Sequence, residues 1–181
     1  MTLLILGLLL WAGVHFFKRV APDARAKMGE KGKGPIALLL IVSVVLMVLG
    51  YRMANGPVYW DRTGAMTGIN NLLMILAVYL FAASGAKTAI TRYVRHPMLT
   101  GFKVWAIAHL LVNGNLESIV LFGGLLAWAV AEVIVINRAE GAWVKPDPVP
   151  AKKEVTAVIA TLVVFALIAA AHIALGYNPF G

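Results

Sequence analysis

Two pentads share one pattern, W-A-G-V-H at residues 11–15 and W-A-I-A-H at residues 105–109. Each sets a histidine one helical turn after a tryptophan, inside an otherwise apolar stretch. An ionisable side chain among lipid-facing residues is costly and tends to mark function. Neutral imidazole is a common metal ligand and the usual axial ligand of haem iron. Two such histidines on antiparallel helices, each beside a large flat side chain, suit a planar cofactor held between them. His15 and His109 are therefore the candidate axial ligands of a haem b, with Trp105 one turn before the second. On that second helix Gly101, Trp105, His109 and Asn113 recur every four residues and share a stripe.

Glu132 is the third ionisable group in an apolar run. It suits a role behind a ligand, accepting the second ring N–H and fixing the tautomer. Its alternative is an ion pair with a basic residue across the bundle. A buried histidine, equally, has the alternative of a hydrogen bond to a neighbouring helix. With the first basic residue of each flank as a ruler, at ~1.5 Å per residue, His15 lies about 5 Å from the Lys18 boundary. His109 lies about 9 Å past Lys103 and Glu132 about 9 Å before Arg138, so the three would share one layer. His172 reads as an interfacial residue at the far end of its helix, apart from that layer. Asn70 and Asn71 read as caps or bridges between helices. A proton path through Glu132 and the histidines is a further reading, though no chain of such residues joins the two faces. The sequence has no H-E-x-x-H, C-x-x-C-H, Walker or Rossmann pattern, and no cysteine for a thiolate site or disulfide.

These residues need elements to position them, and the composition says which. Hydrophobic residues make up 61% of the 181 and charged residues 13%, against about a quarter charged in soluble domains. The chain reads as an all-α integral membrane protein, a single transmembrane domain over residues 1–181. Six apolar segments fall at about 2–17, 36–51, 68–86, 98–112, 118–136 and 155–176. A spanning helix takes about 20 residues, so the fourth is short; it ends at the turn Asn113-Gly114-Asn115. The first segment reads as a transmembrane helix rather than a cleavable signal, because its basic residues follow the apolar run. Linkers fall at about 18–35, 87–97 and 137–154.

With the amino terminus outside, 14 of the 16 lysines and arginines lie on the cytoplasmic side, leaving Arg52 and Arg62 outside. That bias is the positive-inside rule. It alternates correctly only if residues 98–112 cross the membrane. It also accounts for the net charge of +8 without nucleic acid as a partner; the lipid bilayer is the partner the charges imply.

Residues 95–128, R-H-P-M-L-T-G-F-K-V-W-A-I-A-H-L-L-V-N-G-N-L-E-S-I-V-L-F-G-G-L-L-A-W, carry a more specific signal. The R-H-P, the W-A-x-A-H, the N-G-N turn and the L-F-G-G, with the residues around His15, resemble the NnrU family of bacterial inner-membrane proteins over nearly the whole chain. That family is associated with denitrification and with the expression or activity of nitrite and nitric-oxide reductases. The same positions are similar to the plant 15-cis-zeta-carotene isomerases, membrane haem b proteins whose functional histidines match His15 and His109. The plant enzymes carry a cysteine where this chain has Ala106, which argues against a thiolate ligand switch here. More distantly, Arg95, His96, Pro97 and Gly101 resemble a motif of isoprenylcysteine methyltransferases and sterol reductases. Leu99 departs from that motif's tyrosine, and the carboxy-terminal cofactor motif has no counterpart. Arg95 remains a candidate contact for a haem propionate, its alternative being a topology charge before a helix begun by Pro97.

The functional expectation is a haem b-binding inner-membrane protein, redox- or gas-responsive and linked to nitrogen-oxide metabolism. Two others stand beside it: a haem-dependent cis–trans isomerase of an apolar polyene, and a cofactor-free accessory protein for maturation of a nitrite or nitric-oxide reductase.

Overall fold

The computed structural model describes residues 1–181 and is helical throughout. Seven α-helices follow in order: α1 (Thr2–Val20), α2 (Pro22–Lys27), α3 (Lys33–Arg52), α4 (Gly64–Ala86), α5 (Pro97–Val112), α6 (Leu116–Glu140) and α7 (Ala151–Ala174). Five of them, the stretch ending in α3 included, are long and apolar enough to cross a membrane; α5, with 16 residues, is shorter. The helices match the six apolar segments, with ends displaced by up to about four residues. The chain is a helical membrane bundle, and most of its large hydrophobic side chains face outward, as a lipid solvent requires.

The linkers are more structured than their composition suggests. Residues 18–35 read as a solvated tether, yet α1 runs on to Val20, and α2 and a 3-10 turn at Glu30–Gly32 fill the gap before α3. Pro22 supplies the fixed φ that starts α2. Residues 87–97 hold a second 3-10 turn, Ala89–Arg92, and Lys87 ends α4 in the left-handed conformation at φ 54°. Glu154, at the linker's far edge in sequence, lies in the first turn of α7.

The helices group into two compact units. The first comprises Met1–Tyr59 and Gly114–Gly141, and so contains α1, α3 and α6. Its helices touch at glycines. A Cβ at Gly50 of α3 would lie 2.2 Å from the Leu4 backbone nitrogen. One at Gly7 of α1 would lie 2.8 Å from the Ser43 carbonyl oxygen, and one at Gly124 of α6 2.9 Å from Leu8. Small residues allow such approach, and dispersion rather than water exclusion then holds the helices together. At one end Tyr51 and Ser118 share a 2.8 Å hydrogen bond and Gly56 N–H donates to Glu117. Beside them Val58 and Asn115 form an isolated antiparallel bridge, so the segment after α3 is tied to the start of α6. At the other end Arg19 pairs with Glu140 at 3.2 Å.

The second unit comprises Trp60–Asn113 and Ala142–Gly181, with α4, α5 and α7. Thr63 caps α4 through the Met66 N–H, and Pro97 starts α5 at a position that needs no donor. Gly101 brings α5 onto α4, where a Cβ would meet the Ala77 carbonyl at 2.8 Å. The Tyr79 hydroxyl of α4 hydrogen-bonds Glu154, which also accepts from the Ala89 N–H. At the opposite end of α4, Asn71 donates to the Pro179 carbonyl and Arg62 to the Asn178 carbonyl, fastening the tail that follows α7.

Candidate functional sites at the histidines

Within the first unit, the Nδ1–H of His15 donates to the Trp11 carbonyl at 2.8 Å, one turn back along α1. That bond leaves Nε2 as the basic nitrogen. It also tilts the ring toward the start of the helix, the direction helical side chains favour. Trp11 lies 4.3 Å from the His15 ring, and Trp128 of α6 meets both edge-on, at 4.6 Å from His15 and 5.3 Å from Trp11. Two flat side chains, Trp11 and Trp128, thus fix the imidazole's orientation. Glu132 lies one turn beyond Trp128, is buried, and stands within electrostatic reach of His15 and Arg19. Its Oε2 accepts no hydrogen bond.

The structure therefore brings His15 and Glu132 together, but by charge rather than by the expected hydrogen bond. The ring N–H that the sequence assigned to the carboxylate goes to the Trp11 carbonyl instead, because the i−4 carbonyl is always at hand on a helix. Trp128 was missed. Its signal was present: W-A-V-A-E at residues 128–132 is a third run with an ionisable residue four places after a tryptophan.

The second unit repeats the tether. His109 Nδ1–H donates to the Trp105 carbonyl at 3.0 Å, and Trp105 lies 5.0 Å from the His109 ring and 5.0 Å from Phe102. Asn113, last in the stripe, donates to the His109 carbonyl at 2.8 Å. Gly101, first in the stripe, is where α5 packs on α4. Ala106 is completely buried, a packed methyl one residue after Trp105.

Lys103 lies inside α5, about one and a half turns after its start. Measured from Pro97, His109 stands about 18 Å along the helix. His172, expected to stand apart, lies within electrostatic reach of His109, because α5 and α7 both finish at that end of the unit. It too donates Nδ1–H to its i−4 carbonyl, Ile168, at 2.8 Å. Arg95 precedes α5 and is partly buried. A group touching both Arg95 and His109 must extend along the helix axis. Between α4 and α5 an apolar cleft of about 480 Å³ is lined by Trp60, Met66, Ile69, Leu73, Ile107, Leu110 and Leu111. No group of three or more histidine or acidic side chains is placed to hold a metal ion.

Compared with known proteins, residues 3–179 match the family described as NnrU protein. The chain belongs to the NnrU family. No curated protein and no solved structure matches it. The family match spans both units and both W-A-x-x-H runs, so the two tethered histidines lie within the family's own extent.

Proposed function

We infer that this member of the NnrU family is a haem b-binding membrane protein linked to nitrogen-oxide metabolism, in which the imidazoles of His15 and His109 would be the residues that hold the iron. The observation that carries the reading is the repeated pairing of tether and tryptophan. In each W-A-x-x-H run, Nδ1–H is spent on the tryptophan carbonyl and the tryptophan ring lies against the imidazole. That donor set fits haem, which supplies its own four equatorial nitrogens and a redox-active iron. The chain's residues do the rest. Trp11, Trp128 and Trp105 orient the rings, and Glu132 offsets positive charge beside His15.

The test is the absorption spectrum of the protein purified in detergent from haem-replete cells. A Soret band is expected, lost or strongly shifted in both His15→Ala and His109→Ala and retained in His172→Ala. A haem-free protein with an intact helical spectrum would overturn the reading and leave the accessory role. The apolar cleft between α4 and α5 favours a second reading, in which the haem protein acts on an apolar polyene. Turnover of added ζ-carotene isomers by the haem-loaded protein checks that.

A further inference from the structure

In the first unit, the chain between α1 and α3 folds back against the membrane-facing side of those helices. Met28, from the segment between α2 and the 3-10 turn, closes one end of an apolar groove of about 350 Å³. Leu9, Gly13, Phe17, Ile36 and Leu39 form its walls. The volume is within the range of small-molecule sites, but the lining offers no polar group to orient a compact ligand. It suits a hydrocarbon chain. Gly13 matters to the shape: a Cβ there would meet nothing within 4 Å, so its missing side chain is open groove. Gly32 holds the closing segment in place, since a Cβ on it would lie 2.6 Å from Met28 Cβ.

The mouth of the groove is cationic. Arg25 reaches over the same turn, donating from Nη1 to the Gly29 carbonyl at 3.3 Å and lying 3.4 Å from where a Gly32 Cβ would stand. It is therefore next to Met28. Lys18 follows Phe17 directly, and Lys27 precedes Met28. Two basic residues of the segment are already paired, Arg19 with Glu140 and Lys33 with Glu30. Arg25, Lys18, Lys27 and Lys31 form no ion pair, and Asp23 is the one acidic residue of the segment left to oppose them. An apolar slot with a basic rim matches one chemistry: an acyl chain below and a phosphate above.

We propose that this groove is a binding site for an anionic phospholipid, one acyl chain lying between α1 and α3 and the phosphate seated on Arg25 with Lys18 and Lys27. The site stands apart from the histidines and does not depend on haem. Membrane-proximal cations each strengthen anionic-lipid binding by about fivefold at low salt, and two neutralised cations should weaken it by roughly 25-fold.

The test uses the full chain in a neutral detergent, titrated with dioleoylphosphatidylglycerol or dioleoylphosphatidylcholine. Thermal unfolding and retained lipid by native mass spectrometry are the readouts. The native protein should be stabilised by, and retain, phosphatidylglycerol over phosphatidylcholine. Gly13→Leu, which fills the groove, and the pair Arg25→Gln with Lys27→Gln, which strips the rim, should each abolish the preference while leaving lipid-free Tm and helical content unchanged. Equal response to the two lipids overturns the proposal. So does a preference that survives in Gly13→Leu, which would mean surface charge alone, or one that survives loss of the two cations.

Discussion

At the residue scale, one hydrogen bond decides the chemistry of each histidine. A helix interior always offers the carbonyl four residues back, and all three membrane histidines in these helices take it. The tether alone therefore does not single out His15 and His109; the tryptophan above each does. Trp128 is the side chain on which the His15 arrangement turns, because it is buried against both Trp11 and His15. Replacing it with alanine should cost about 3–5 kcal/mol, read as a lowered Tm in detergent. Phenylalanine at the same place should retain part of the stability. If haem is bound, the Trp128→Ala protein should also show altered axial ligation in its spectrum while both histidines remain. His15 and Glu132 were legible from type and spacing. Trp128 was legible only as a spacing, W-A-V-A-E, since a tryptophan in an apolar run reads as packing until its neighbour across the bundle is known.

At the element scale, the apolar runs foretold the helices because a spanning segment has a length set by the bilayer. The short α5 was legible too, from the Asn-Gly-Asn turn that ends it. What composition hid was the partnering of helices. In lipid, association rests on close approach and on a few buried polar pairs, and these are single residues scattered along uniform hydrophobic stretches. Gly50 is such a residue and Gly13 is not. Gly50→Ala drives a methyl into the Leu4 backbone and should cost about 1–3 kcal/mol or more. Gly13→Ala should stay within about 0.5 kcal/mol of the native protein. Thermal unfolding of the two variants side by side checks this. The linker at 18–35 misled for a related reason: its lysines and glycines describe a solvated surface, but Met28 and Gly32 inside it pack.

At the scale of the whole molecule, the basic residues set an orientation that a simple experiment reads. The chain has no cysteine, so a single cysteine introduced at Gly29 or at Asn55 reports alone. Both positions are exposed in loops. With the amino terminus outside, a membrane-impermeant maleimide applied to intact cells should label the Asn55→Cys protein and spare the Gly29→Cys protein until the membrane is opened. The reverse pattern would invert the topology. The six apolar helices and the bias of charge were visible in the sequence, whereas the grouping into units was not, because hydropathy is blind to which apolar face meets which.

That grouping has a consequence for how the protein is made. Neither unit is a continuous stretch of chain: residues 60–113 are translated between the two parts of the first, and residues 114–141 between the two parts of the second. At roughly 5–20 residues per second, α1 and α3 wait about 4–16 s for α6 to emerge. During that interval Tyr51 lacks its hydrogen-bond partner Ser118 on the third helix. The nascent hairpin must rely on its glycine knuckles, or on a membrane insertase, to keep from pairing with a neighbour.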